Sequence, residues 1–188
     1  MKRPTIGAVN LNTIADLPWD HPAPFVLKLQ PVAGDIDGLD HTNNAVYVRW
    51  CEQAGWAHSE ALGLSLADYR RLDRAMAIRE AHYDYTLPTV LGDELLLGTW
   101  LVAGDGRLTM TRVFQLLRRH DRATVMRGRW SLVCIEVSSG RPRRLPPEFE
   151  QRYGAAMRPS PPPSALKSMR WAYIESRSVV RSKTWVTY

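Results

Sequence analysis

The stretch Ala45-Val46-Tyr47-Val48-Arg49-Trp50-Cys51-Glu52-Gln53-Ala54-Gly55-Trp56-Ala57-His58-Ser59-Glu60-Ala61-Leu62 decides the fold. Val46, Trp50, Ala54, Ala57 and Ala61 recur at intervals of three or four, which puts one apolar stripe on one face of a helix. Thr42, Asn43 or Asn44 can cap its start, and Gly63 stops it. A second, short helix is predicted over residues 65–74, with Ser65 capping and Asp68 in its first turn. From residue 75 to 137 the pattern is that of strands, so the long helix has a sheet to pack against and no second long helix to share it with.

Working outward, residues 25–32 alternate as a first strand, and Pro31 marks a sheet edge or a bulge. Residues 34–44 are rich in Asp, Asn and Gly and read as a structured loop. Beyond the short helix, strands are predicted over 75–86, 94–102, 108–117 and 124–137. Gly104-Asp105-Gly106 is a hairpin signal between two of them. The order predicts an α+β domain: an antiparallel sheet of about five strands, the last four in a meander, wrapped around one long central helix. One helix covers one face of a sheet, so part of the other face calls for a partner chain, and at least a homodimer is expected.

The chain has 188 residues, enough for one domain. With 45% apolar and 23% charged residues it is a globular composition, which excludes a wholly disordered chain. Pro4, Pro18, Pro22 and Pro24 make residues 1–23 an irregular arm, the domain is assigned to 24–157, and 158–188 form a Pro-rich linker and an aromatic, basic tail. A last helical turn or two is expected over 148–157. The net charge of +6 is concentrated in that tail, where Arg158, Lys167, Arg170, Arg177, Arg181 and Lys183 face Glu175 alone. The body is nearly neutral, so no nucleic-acid face is expected on it. No apolar run approaches the ~20 residues of a membrane span and no signal-type stretch opens the chain, so a cytoplasmic protein is expected. Cys51 and Cys134 are too few for a disulfide framework or a zinc site and are read as buried thiols.

Chemistry concentrates in Asp35-Ile36-Asp37-Gly38-Leu39-Asp40-His41-Thr42-Asn43-Asn44-Ala45-Val46-Tyr47, a loop opening onto the long helix. Such a loop can set a carboxylate beside backbone N–H groups that the helix leaves unpaired, and those donors stabilise charge developing on a carbonyl oxygen. The carboxylate can attack that carbonyl or activate a water. The same residues also serve as ordinary caps and turns.

This segment resembles the loop of the hotdog-fold acyl-CoA thioesterases of the 4-hydroxybenzoyl-CoA thioesterase type, which reads approximately Asp-x-Asp-x-x-Gly-His-x-Asn-Asn-x-x-Tyr; Asp35, Asp37, His41, Asn43, Asn44 and Tyr47 stand at those spacings. Tyr47-Val48-Arg49-Trp50-Cys51-Glu52, Tyr85 with Leu91-Gly92-Asp93, and Leu132 to Glu136 with Ser139 to Pro146 resemble further family signatures, so the likeness spans residues 26–149. It implies a hotdog fold, a thioester of coenzyme A or acyl carrier protein as substrate, no metal or other cofactor, and a dimer or tetramer. Asp37 is implied as the catalytic carboxylate, the Asn44 N–H as the group polarising the carbonyl, His41 and Asn43 as shaping the loop or binding the acyl group, Tyr47 as part of the substrate-binding set, and Asp35 as a turn cap. The departure is Asp40, where the family usually has Gly; Asp tolerates a left-handed backbone and adds a charge close to Asp37.

Glu80, His82 and Asp84 share one strand face, as a metal triad, as an acid-base pair lining a dimer cleft, or as a solvated strand face. Glu52 is an outside catalytic candidate, and His58 reads as a helix-surface residue. Arg127, Arg129, Arg141, Arg143 and Arg144 suit coenzyme A phosphates, though arginine is abundant throughout the chain. The alternatives are a hotdog enoyl-thioester hydratase or dehydratase, against which the hydratase-type Asn-Pro spacing is absent, and a non-catalytic acyl-CoA-binding protein.

Overall fold

Asn43 starts the long helix. Its side-chain oxygen accepts from the Ala45 N–H and its carbonyl from the Val46 N–H, both at 2.9 Å, satisfying two of the donors that a helix start leaves open. The helix, α1, spans Asn44–Ala61, with Gly63 left-handed just beyond it at φ 81°. Val46, Trp50 and Ala54 are buried as the spacing predicts, but the stripe then shifts: Gly55 and Ser59 are buried, Ala57 is half-buried and Ala61 is exposed. Two contacts draw the helix round. Ser59 Oγ donates to Gly55 O and bonds the Tyr153 hydroxyl, and a Cβ at Gly55 would lie 3.3 Å from the Trp130 ring, closer than ordinary packing.

The computed structural model describes residues 16–158; residues 1–15 of the arm and the linker and tail from 159 lie outside the described residues. Five antiparallel strands, β1 (Phe25–Leu29), β2 (Arg74–Tyr85), β3 (Leu95–Gly104), β4 (Thr109–Arg118) and β5 (Thr124–Glu136), form one sheet in the order β1-β3-β4-β5-β2. The inner face sets Leu27, Leu97, Phe114, Leu116 and Trp130 against Val46, Tyr47, Trp50 and Ala54 of α1 in one core. A short helix, α2 (Leu66–Leu72), is boxed by Ser65 and Asp68 as expected, and α3 (Pro147–Ala156) buries Phe149 and Tyr153 at the end of the core.

The expected four-strand meander is corrected by this order. β3, β4 and β5 do follow one another, but β2 pairs with β5 at the far edge and β3 pairs with β1. Residues 105–108 and 119–123 are hairpin-length links, and Asp105 Oδ1 closes the first by accepting from the N–H groups of Arg107, Leu108 and Thr109. Residues 86–94 are much longer and pass beneath the start of α1, where Thr89 O accepts from the Thr42 N–H at 2.8 Å. That crossing leaves β2 at one edge and carries the chain back to β1.

Part of the outer sheet face is covered by the chain's own arm. Asp20 takes Arg127 in a two-pronged ion pair at 2.7 and 3.0 Å, its N–H donates to Gln115, and Gln115 donates to Pro18 O. Trp19 stands edge-on to Trp100, whose indole N–H donates to Pro22 O. Gly98 makes room for this layer, since a Cβ there would lie 2.7 Å from the Trp19 ring. Both cysteines are buried, and burial pushes their thiols up, so neither is an activated nucleophile.

Candidate functional site

The loop before α1 is closed by its own backbone. Ile36 and Thr42 form an antiparallel bridge, the Asp37 N–H donates to His41 O at 2.8 Å, and Asp37 Oδ1 accepts from the Leu39 N–H at 2.8 Å and the His41 N–H at 3.3 Å. One carboxylate oxygen of Asp37 thus orders the turn. Its other oxygen has no hydrogen-bond partner among the described residues. Asp40 sits at φ 61°, a left-handed backbone that Asp tolerates better than most residues.

At the helix start, Asn43 spends its side chain on the Ala45 N–H, while the Asn44 N–H has no acceptor among the described residues. An open N–H at the positive end of a helix dipole can receive a polarised carbonyl oxygen. The Asp37 loop and this N–H are therefore two ends of one short segment, joined by the exposed His41 and the buried Thr42.

Thr42 fixes that segment. Besides its N–H bond to Thr89 O, its hydroxyl accepts from Thr89 Oγ1 at 2.7 Å, and Thr89 Oγ1 in turn accepts from the Tyr47 hydroxyl at 2.8 Å. Tyr47 is therefore a core residue, 3% exposed, with its polar end committed to this chain of hydroxyls. Asp35 braces the other side: it pairs with Arg49, accepts from the Val32 N–H at 3.1 Å, and its carbonyl accepts from the Asn43 N–H at 2.9 Å. The turn-capping expected of Asp35 is present, with an ion pair added to it.

Tyr85 stands at the mouth of α1. Its ring meets Tyr47 edge-on at 5.3 Å and its hydroxyl lies 3.5 Å from Asn44 O. Beside it on β2, Tyr83 accepts from the Trp130 indole N–H, and burial pushes its phenol up to about 12. The loop motif contains neither tyrosine; Tyr85 belongs to the strand-turn resemblance, and the period-two pattern of β2, which puts Ala81, Tyr83 and Tyr85 on one face, is the signal for Tyr83. Glu80, His82 and Asp84 face the other way, on the outer side, where His82 and Asp84 stand opposite Arg129 and Arg127. His82 and Glu80 bond each other at 2.8 Å in solvent, away from the Asp37 loop. Glu52 is exposed on α1, and His58, expected on the helix surface, is instead largely buried against Arg112. Among the described residues no cluster of three or more His, Cys, Asp or Glu is placed to hold a metal ion, and no helix is long and apolar enough to cross a membrane.

Solved structures share this architecture. A 1,4-dihydroxy-2-naphthoyl-CoA thioesterase from Synechocystis superposes with a TM-score of 0.64 at 19% identity, over 70% of this chain and 96% of its own. A DHNA-CoA thioesterase from Staphylococcus aureus gives 0.64 at 18%, over 76% and 92%. A Staphylococcus aureus protein of unassigned function, solved in complex with CoA, gives 0.66 at 18%, over 72% and 87%. At such identities the likeness carries the fold, a five-stranded antiparallel hotdog sheet around one long helix. Residues 31–153, which run from the end of β1 through the Asp37 loop to α3, match the sequence profile of the Thioesterase-like superfamily, and the chain belongs to that family.

Proposed function

We propose that the protein hydrolyses an acyl thioester of coenzyme A, giving a carboxylic acid and free thiol. The observation that carries this reading is the open Asn44 N–H at the start of α1, in the same short segment as a carboxylate oxygen of Asp37 that the turn does not use. Family membership and the CoA thioesterases among the structural relatives support the substrate class.

The thioester carbonyl oxygen accepts from the Asn44 N–H, which makes its carbon electrophilic and holds the oxyanion that forms. As general base, Asp37 takes a proton from water while the hydroxide adds to that carbon; the tetrahedral adduct collapses, the C–S bond breaks and the thiolate leaves to be protonated. As nucleophile, Asp37 adds directly, expels the thiolate and leaves a mixed anhydride that water opens. Where water opens the anhydride at the Asp37 carbonyl, a single turnover in ¹⁸O-water puts the label into the Asp37 carboxylate and none into the acid, whereas the general-base route labels the acid alone. His41, exposed within that segment, contacts the acyl group, and Asn43 sets the helix mouth. Tyr47 bears on the substrate by fixing that mouth through Thr89 and Thr42.

The test is thiol release across short, long, aromatic and hydroxylated acyl-CoAs. Turnover of at least one class is expected. No thiol release with any of them, together with tight acyl-CoA binding, would make this a binding protein. A change in enoyl absorbance without free thiol would make it a hydratase.

A further inference from the structure

At the end of α1 remote from the Asp37 loop lies a cavity of about 210 Å³. Phe25, Leu62, Trp100 and Ala156 give it an apolar wall, and His58, Thr99 and Arg158 are its polar lining. That is room enough for a benzoate or a short-chain acid.

Two arginines act on it, and among the described residues neither has a carboxylate partner. Arg158 lines the cavity and donates to the Ala155 and Met157 carbonyls. Arg112 lies one layer behind, 3% exposed, and donates through Nη1 to His58 Nδ1 at 2.9 Å and Thr99 Oγ1 at 3.3 Å. A buried cation without an anion is costly, and the hydrogen bonds here pass its polarity toward the cavity. Because His58 Nδ1 is the acceptor, the ring proton sits on Nε2, which has no acceptor among the described residues. Burial, Arg112 and Arg158 together keep the ring neutral, pushing its pKa down to about 3. Its flat stacking on Phe25, centroids 4.9 Å apart, holds the donor in place.

The geometry points to a second ligand site here, for a small monocarboxylic acid whose carboxylate pairs with Arg158 and accepts from His58 Nε2–H while its apolar body lies on Phe25 and Trp100. The occupant supplies the negative charge that the described residues around Arg112 lack. Inorganic phosphate fits less well, because most of the wall is apolar. This site stands whether or not the Asp37 segment hydrolyses thioesters.

The experiment uses the full chain, titrated with benzoate, benzamide and inorganic phosphate by calorimetry, with amide shifts followed by NMR. Benzoate is expected to bind at least tenfold more tightly than benzamide or phosphate and to move the Ala155 and Ala156 amides. R158Q and H58Q are expected to weaken benzoate at least tenfold, and D37N to leave it unchanged. Should R158Q lose its fold, the wild-type shifts still decide. Equal binding of benzoate and benzamide, preference for phosphate, no binding, or shifts confined to residues 37–47 would each overturn the proposal.

Discussion

Thr42 and Thr89 are joined twice, by the Thr42 N–H on Thr89 O and by Thr89 Oγ1 on Thr42 Oγ1. This double link ties the helix mouth to the long crossing between β2 and β3, so the same residues that set the strand order also hold the proposed site. In Thr89→Val the Tyr47 and Thr42 hydroxyls lose a buried partner, and a loss of about 1–3 kcal/mol is expected. The urea midpoint measures it. Thiol release is expected to fall about tenfold at saturating substrate, because the Asn44 N–H is no longer held in register.

Gly98→Ala is expected to push the arm off the sheet, since its Cβ would meet both Trp19 and Trp100 inside contact distance. The cost is about 1–3 kcal/mol, as in other overpacked sites. Tryptophan fluorescence should shift to the red, and residues 16–24 should become open to protease. Asp20→Ala should give the same exposure by removing the partner of Arg127.

Acid should destabilise the protein through His58. The folded ring has a pKa near 3, whereas in the unfolded chain it is near 6.5, so the unfolded state takes the proton first. The stabilisation is complete above about pH 6.5 and is lost as pH falls toward 3, by up to a few kcal/mol. Chemical denaturation of wild type and His58→Gln between pH 7 and 4.5 checks this, and the variant should show a flatter slope over that window.

Among the described residues β2 ends the sheet with one side unpaired, and it carries the exposed Ile78 and Tyr85. An open edge of this length invites a second strand. The expected assembly is a homodimer at micromolar concentration, and Ile78→Lys should shift light scattering toward the monomer mass.

The local features of this fold are legible in the sequence because they depend on neighbours. Asn43 as cap, Ser65 with Asp68, the Gly104-Asp105-Gly106 hairpin and the span of each strand all follow from period and turn chemistry. What depends on distant partners is not. Nothing in the alternation of residues 74–85 says that they pair with β5 rather than β3; the length of the 86–94 link is the clue, and its bond to Thr42 is the reason. The docking of Trp19 and Asp20 is hidden for the same cause, as Asp20 meets Arg127 across most of the domain. Arg112 carries no motif that marks it as buried, yet it lies inside, where Thr99 and His58 meet it. For the loop, the motif picks out Asp37 and Asn44, while the hydroxyl chain that holds them needs Thr89, a residue with no motif of its own.

The most direct measurement is the rate of thiol release by Asp37→Asn on the best acyl-CoA of the panel, beside wild type at saturating substrate and with the fold checked by circular dichroism. A fall of about 100-fold or more, with little change in acyl-CoA affinity, is predicted for the loss of a group that acts in the chemical step. An unchanged rate in a folded Asp37→Asn protein would contradict the assignment of that carboxylate.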